Sequence, residues 1–143
     1  MAQINANDIL KSSTGKVWYN GRQLANIKSL EAKIKGEYTD VKMCGELSTG
    51  HAFVGYDGSG DIVLHKINSD VASEIAENMK YGDMTGSYII TKITNNKGES
   101  ERVRIDDVVF EEITLAQMSE KNLIEEKLPF KFSDFKYLDR IRG

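Results

Sequence analysis

In the closing segment of the chain Ile124, Leu128, Phe130 and Phe132 share one parity, while Glu125, Lys127 and Lys131 take the other. Apolar side chains spaced by two belong to a strand with one buried and one wet face. The same rhythm recurs at Leu30, Ala32 and Ile34 against Glu31, Lys33 and Lys35. Two such segments commit the chain to sheets that lean on a core. Pro129 interrupts the first of them. It has no N–H for a ladder, so its strand is expected at an edge or with a bulge there.

Other elements read in the same way. Lys16 to Tyr19 is a short apolar and aromatic run closed by Asn20-Gly21, a dipeptide that tolerates positive φ, which predicts a hairpin. Asp61 to Ile67 (DIVLHKI) has apolar residues of both parities, as for a strand buried on both faces. One helix stands out: Asn68 or Ser69 can cap it, Asp70 suits its positive end, and Gly82 stops it. Its stripe is Val71, Ile75 and Met79, with Ala72 and Ala76 beside it. Strand character returns in Ser87 to Thr94, then a turn at Asn95 to Gly98, then Arg102 to Ile113. About seven strands and one helix make a mainly β chain, a two-sheet sandwich or barrel with a flanking helix.

Between Glu37 and Gly60 the pattern dissolves. Glycines at 45, 50, 55, 58 and 60 punctuate a stretch that still holds Val41, Met43, Phe53 and Val54. The expectation is a long loop or floppy hairpin whose apolar residues dock on another surface, since connections beyond about 12–15 residues usually carry function.

Length and composition close off several classes. The 143 residues suit one domain with a core of its own. Cys44 stands alone, so no internal disulfide forms, and His51 and His65 are too few to build a metal set around it. The opening MAQINANDILKSS lacks the apolar run of a signal peptide, and no stretch approaches the roughly 20 apolar residues of a membrane helix. Cytoplasmic folding, with no membrane partner, is the expectation. A net charge of -3 gives no basic footprint for a phosphate backbone.

The chemical motifs fall short. Asp57-Gly58-Ser59-Gly60-Asp61 opens like a calcium loop, but the positions for glycine and bidentate glutamate hold Ile62 and Asn68. The same glycines lack the lysine and helix of a phosphate loop. His51 and His65 have no spaced nucleophile, and Cys44 has only Lys42 as a nearby cation. The acidic pairs Asp106-Asp107, Glu111-Glu112 and Glu125-Glu126 point to opposite faces if on strands. Trp18, Phe130, Phe132, Phe135 and Tyr137 read as packing residues, because no basic groove accompanies them. A catalytic site, a cofactor and a metal are all unexpected.

Four segments in order carry a resemblance: GKVWYNGRQLANIKSLEAKI (15–34), VGYDGSGDIVLHKINSD (54–70), RVRIDDVVFEEITLA (102–116) and PFKFSDFKYLD (129–139). Together they resemble the tail tube proteins of contractile phages and phage-derived particles, the XkdM-like family of the PBSX prophage and of R-type bacteriocins.

That resemblance implies a single tail tube domain over residues 1–143, with a two-sheet β-sandwich or barrel, one flanking helix and a long extended loop. Such subunits form hexameric rings stacked into the inner tube of a contractile tail, one sheet of each joining its neighbours around the lumen. It further implies an N-terminal arm at 1–14, an inter-ring loop at 37–58 and a C-terminal tail at 135–143. The expected loop contacts are Tyr38, Asp40, Val41, Met43, Cys44, Leu47, His51 and Phe53, and the tail contacts Phe135, Tyr137 and Leu138. Expected partners are further copies, the tail sheath protein, and baseplate and tail terminator proteins. In a phage, genome DNA would pass through the lumen without sequence-specific binding, eased by acidic side chains. Assembly would occur in the bacterial cytoplasm. The rival readings are a secretion-system tube protein, a small-ligand or oligonucleotide-binding barrel, and a hydrolase near His51 and Asp57.

Overall fold

The computed structural model describes residues 15–142, except 43, 46, 67, 68, 84, 85, 96 and 119–123. The arm at 1–14, Met43 and Asn68 therefore lie outside the described residues. The elements are β1 (Lys16–Tyr19), β2 (Arg22–Gln23), β3 (Ile27–Val41), β4 (Gly50–His65), α1 (Asp70–Tyr81), β5 (Tyr88–Thr94), β6 (Ser100–Asp106), β7 (Val109–Phe110), β8 (Glu125–Phe132) and β9 (Asp134–Asp139). They form a five-stranded sheet in the order β2-β1-β5-β6-β9 and a four-stranded sheet in the order β3-β4-β8-β7. Every pairing is antiparallel.

The two sheets face each other across one core. Val17, Tyr19, Ile89 and Ile105 enter it from the five-stranded sheet, and Ile62, Leu64, Phe110, Leu128, Phe130 and Phe132 from the other. The alternation of β8 is realised: Leu128, Phe130 and Phe132 are buried, while Lys127 and Lys131 are exposed. Phe110 and Phe130 meet edge to face with centroids 6.1 Å apart, and Tyr19 approaches Phe110 at 5.6 Å. In α1 the expected stripe packs, with Ile75 fully buried and Val71 and Met79 lying against the core. Gly82, at φ 72°, ends the helix in the left-handed conformation, its N–H reaching the Met79 carbonyl. Ser69 is the N-cap residue, yet makes no side-chain capping bond.

Several expectations need correcting. The Asn20-Gly21 turn exists, with φ of 49° and 85°, but its return strand β2 has two residues. The chain then crosses to the other sheet as β3. Asp61 to His65 is not buried on both faces, because Ile62 and Leu64 point inward while Val63 and His65 are half-exposed. Arg102 to Ile113 is not one strand either. Asp107 adopts φ 56°, the fully buried Val108 donates its N–H to the Ser87 carbonyl, and β7 joins the opposite sheet. This raises the strand count to nine among the described residues.

Pro129 is internal rather than at an outer edge, and no register shift marks its pairing with Asp61. The Pro129 carbonyl accepts the Glu111 N–H at 2.9 Å, so the side of the proline without a donor faces β7. The β7 ladder stops there, after pairing Val109 with Lys131 and Phe110 with Phe130. The missing donor thus sets where the neighbouring strand ends.

Candidate assembly surface

The segment from 37 to 58 is no structureless loop, and the hairpin alternative holds. The 15 residues of β3 and 16 of β4 pair from Ile27↔Leu64 out to Val41↔Gly50. Its outer half projects past the sandwich. A register shift follows Glu37↔Gly55, after which Tyr38 opposes Phe53, leaving Val54 as the extra residue of a bulge. Ser59 and Asp61, from the segment resembling a calcium loop, are mid-strand residues paired with Lys33 and Glu31.

The glycines there serve close packing. A Cβ on Gly58 would stand 2.6 Å from the Phe132 ring, and one on Gly60 would stand 2.5 Å from the Phe130 ring. Both rings lie flush against the β4 backbone, so glycine marks strand rather than loop at these positions.

Of the expected contact residues, the structure brings Tyr38 and Phe53 together, ring centroids 5.5 Å apart, with 62% and 60% of their surfaces exposed. Asp40 Oδ1 and His51 Nδ1 pair at 2.9 Å nearer the tip. Val41 is 40% exposed, and Leu47 and Cys44 are exposed in the turn. In the C-terminal segment, 134–139 is a strand of the five-stranded sheet rather than a free tail. Phe135 and Leu138 are half-buried there, and Tyr137 is exposed. The Tyr56 ring meets Phe135 edge to face at 5.9 Å, and its hydroxyl donates to the Ser133 carbonyl at 2.7 Å, bracing the hairpin base against β9.

Sequence reasoning missed two members of this surface. Ile34 follows the inward parity yet is 49% exposed, because the core ends before it, and Tyr56 is 40% exposed. Parity signals a face but not how far the covering sheet extends. Leu115 and Met118 are also exposed, at 79% and 94%, and no periodicity marked them.

The opposite, outward face of the four-stranded sheet is polar and of mixed sign. Register places Glu31, Asp61 and Asp57 on it beside Lys33, Lys35 and Lys131. Lys28 reaches Glu125 at 2.7 Å and holds its carboxyl below the usual carboxylate range. Glu126, next in sequence, turns inward and is buried near Lys66 at 3.5 Å. Among the described residues no cluster of acidic, histidine or cysteine side chains could hold a metal ion, and no helix is long and apolar enough to cross a membrane.

This architecture defines a class. It superposes on a chain of the anti-feeding prophage cap, a tube-terminating cap, with TM-score 0.77, 8% identity and 97% coverage of both chains. It likewise matches a chain of the sheath-tube complex of an extracellular contractile injection system, with TM-score 0.75, 6% identity, and 92% of this chain and 93% of that one covered. At such identities the likeness is one of fold.

Residues 2–139 match the family model described as phage tail tube protein, and the chain belongs to that family. The XkdM protein of the phage-like element PBSX in Bacillus subtilis (strain 168) is 26% identical over 136 residues, 92% of each chain. The chain is therefore a tail tube subunit.

Proposed function

We propose that this subunit acts without catalysis, closing into hexameric rings that stack around a central channel as the inner tube of a contractile tail or tail-like particle. The single observation that supports this best is the β3–β4 hairpin, which holds Tyr38, Phe53 and Val54 more than half exposed beyond the body of the domain. Apolar surface of this kind on a projecting element is characteristic of a protein–protein contact. Tyr38, Asp40, Val41, Met43, Cys44, Leu47, His51 and Phe53 would supply contacts between rings, and Phe135, Tyr137 and Leu138 contacts between subunits.

Ring closure uses the sheet margins. β3 and β7 end the four-stranded sheet, and edge pairing between copies would satisfy the free ladder groups that invite aggregation in a monomer. The polar outward face of that sheet would then line the channel, its mixed charges letting a passing polyanion slide without a specific hold. Sheath, baseplate and terminator proteins would bind the finished tube, assembled in the bacterial cytoplasm, with genome DNA passing if the particle is a phage.

Cryo-electron microscopy of tubes grown from the purified chain tests this. The expected result is stacked six-fold rings with each hairpin against a neighbouring ring. Tubes of another rotational symmetry, or hairpins folded onto their own subunit, would refute it.

A further inference from the structure

The five-stranded sheet has a second face, turned away from the core. Val17 and Tyr19 enter the core, so Lys16 and Trp18 point outward. Register carries that side across the sheet, with Trp18 opposite Ile90, Ile90 opposite Arg104 and Arg104 opposite Lys136. A second row runs through Lys16, Lys92, Arg102 and Asp139, and a third through Tyr88, Asp106 and Asp134. These rows hold five cations against three carboxylates, although the chain as a whole carries a net charge of -3.

The two arginines have partners within the face. Arg104 Nε donates to Asp106 Oδ1 at 2.8 Å, and its guanidinium lies over the Tyr88 ring 4.3 Å from the centroid. Arg102 Nη1 stands 3.4 Å from Asp139 Oδ2. Lys16 and Lys92 are different. They oppose each other directly in the β1–β5 register, and neither has an ion pair among the described residues. Like charges so placed repel, and a carboxylate set between them would remove the cost.

Beside these lysines the face turns apolar. Trp18, the sole tryptophan, and Ile90 are half-buried, and with Gly21, Lys92 and Arg102 they line a hollow of about 340 Å³. Tryptophan, tyrosine and arginine are the residues that carry most of the binding energy in protein interfaces. Here Trp18, Tyr88, Arg102 and Arg104 share one face. The interleaved carboxylates favour a protein over a nucleic acid, since a continuous phosphate chain would run against Asp106, Asp134 and Asp139, whereas a folded surface can meet charges of both signs.

We propose that the outward face of the five-stranded sheet docks an acidic protein surface outside the tube, with a carboxylate between Lys16 and Lys92 and one bulky apolar side chain seated beside Trp18 and Ile90. This rests on the channel reading above, because a subunit whose four-stranded sheet lines the lumen turns its other sheet outward.

A carbodiimide tests the contact, since it joins a carboxylate to a lysine amine with loss of water and leaves no spacer. Intact tail-like particles and bare tubes of the purified chain are treated, digested and read by mass spectrometry. The expected result is amide links from Lys16 or Lys92 to aspartate or glutamate of a different protein, in the particles alone. Particles carrying Trp18→Ala should give at least fivefold fewer of them, and an equal yield would overturn the seat beside Trp18. Links only to a second copy of this chain would overturn the proposal. So would Lys16 and Lys92 that acetylate as readily in particles as in bare tubes, or protection from acetylation that nuclease abolishes. A dextran-borne amine reagent, too bulky for the channel, should label Lys16 and Lys92 of bare tubes and spare Lys33 and Lys131. The reverse labelling would remove the channel reading and this proposal together, whereas the expected labelling without links in the particles overturns the docking alone.

Discussion

Tyr38 and Phe53 face each other across the β3–β4 hairpin with ring centroids 5.5 Å apart, yet more than half of each side chain is open to solvent. An aromatic pair of this type stabilises a sheet by only about 0.5–1.5 kcal/mol. Within one subunit its contribution is modest. Against another subunit it presents a large rigid apolar surface at small cost in conformational entropy.

Replacing both residues, Tyr38→Ser with Phe53→Ser, is predicted to leave the domain folded, with a loss of no more than about 1–2 kcal/mol in urea unfolding. Tube formation, followed by sedimentation, should fall at least tenfold. Loss of the fold itself would show that the hairpin belongs to the core.

Gly60→Ala is predicted to destabilise by about 1–3 kcal/mol, because the new methyl meets both the Phe130 ring and the Glu31 carbonyl on a strand that cannot recoil. Gly45→Ala provides a contrast in origin. Its Cβ meets nothing within 4 Å, so any cost there comes from φ 87° alone. Urea midpoints of the two variants separate crowding from backbone strain.

Phe130→Ala removes a fully buried ring that touches Phe110 and Phe132. A loss of about 3–5 kcal/mol is expected, enough to unfold a marginal domain. Phe130→Leu, which keeps most of the volume, should remain folded and lower the midpoint less. Equal effects would mean that the two sheets are not packed through this ring.

Glu125 is depressed by its hydrogen bond from Lys28 and by the Lys28 charge. A carboxyl whose folded value lies below its unfolded one stabilises the native state above the ordinary carboxylate range, and that stabilisation is lost as pH falls through the folded value. NMR titration should find the Glu125 midpoint below that of exposed glutamates, with Lys28→Met restoring it. The group is solvent-exposed, so high salt should erase the difference.

The sequence made some parts legible because one local rule decided each. The parity of Leu128, Phe130 and Phe132, the stripe of Val71, Ile75 and Met79, and the Asn20-Gly21 turn all answer to neighbours in the chain. The hairpin was harder to read because Gly58 and Gly60 suggest a loop, whereas each is required by a ring from β8, about 70 residues away in the chain. The break at Asp107 was hidden for a similar reason. Val108 is placed by Ser87 on another part of the chain, and nothing adjacent to it shows that the strand must change sheets. The exposed apolar residues of the 37–58 segment read as a group from the sequence, whereas Ile34 reads as core because alternation cannot show where the opposite sheet ends.

The most direct measurement of the central claim is electron microscopy of tail-like particles from cells in which this chain has been deleted. Baseplates without tubes, or abortive tails that lack an inner tube, are expected, with normal tails restored when the chain is supplied again. Tails of normal length with an intact inner tube in its absence would contradict it.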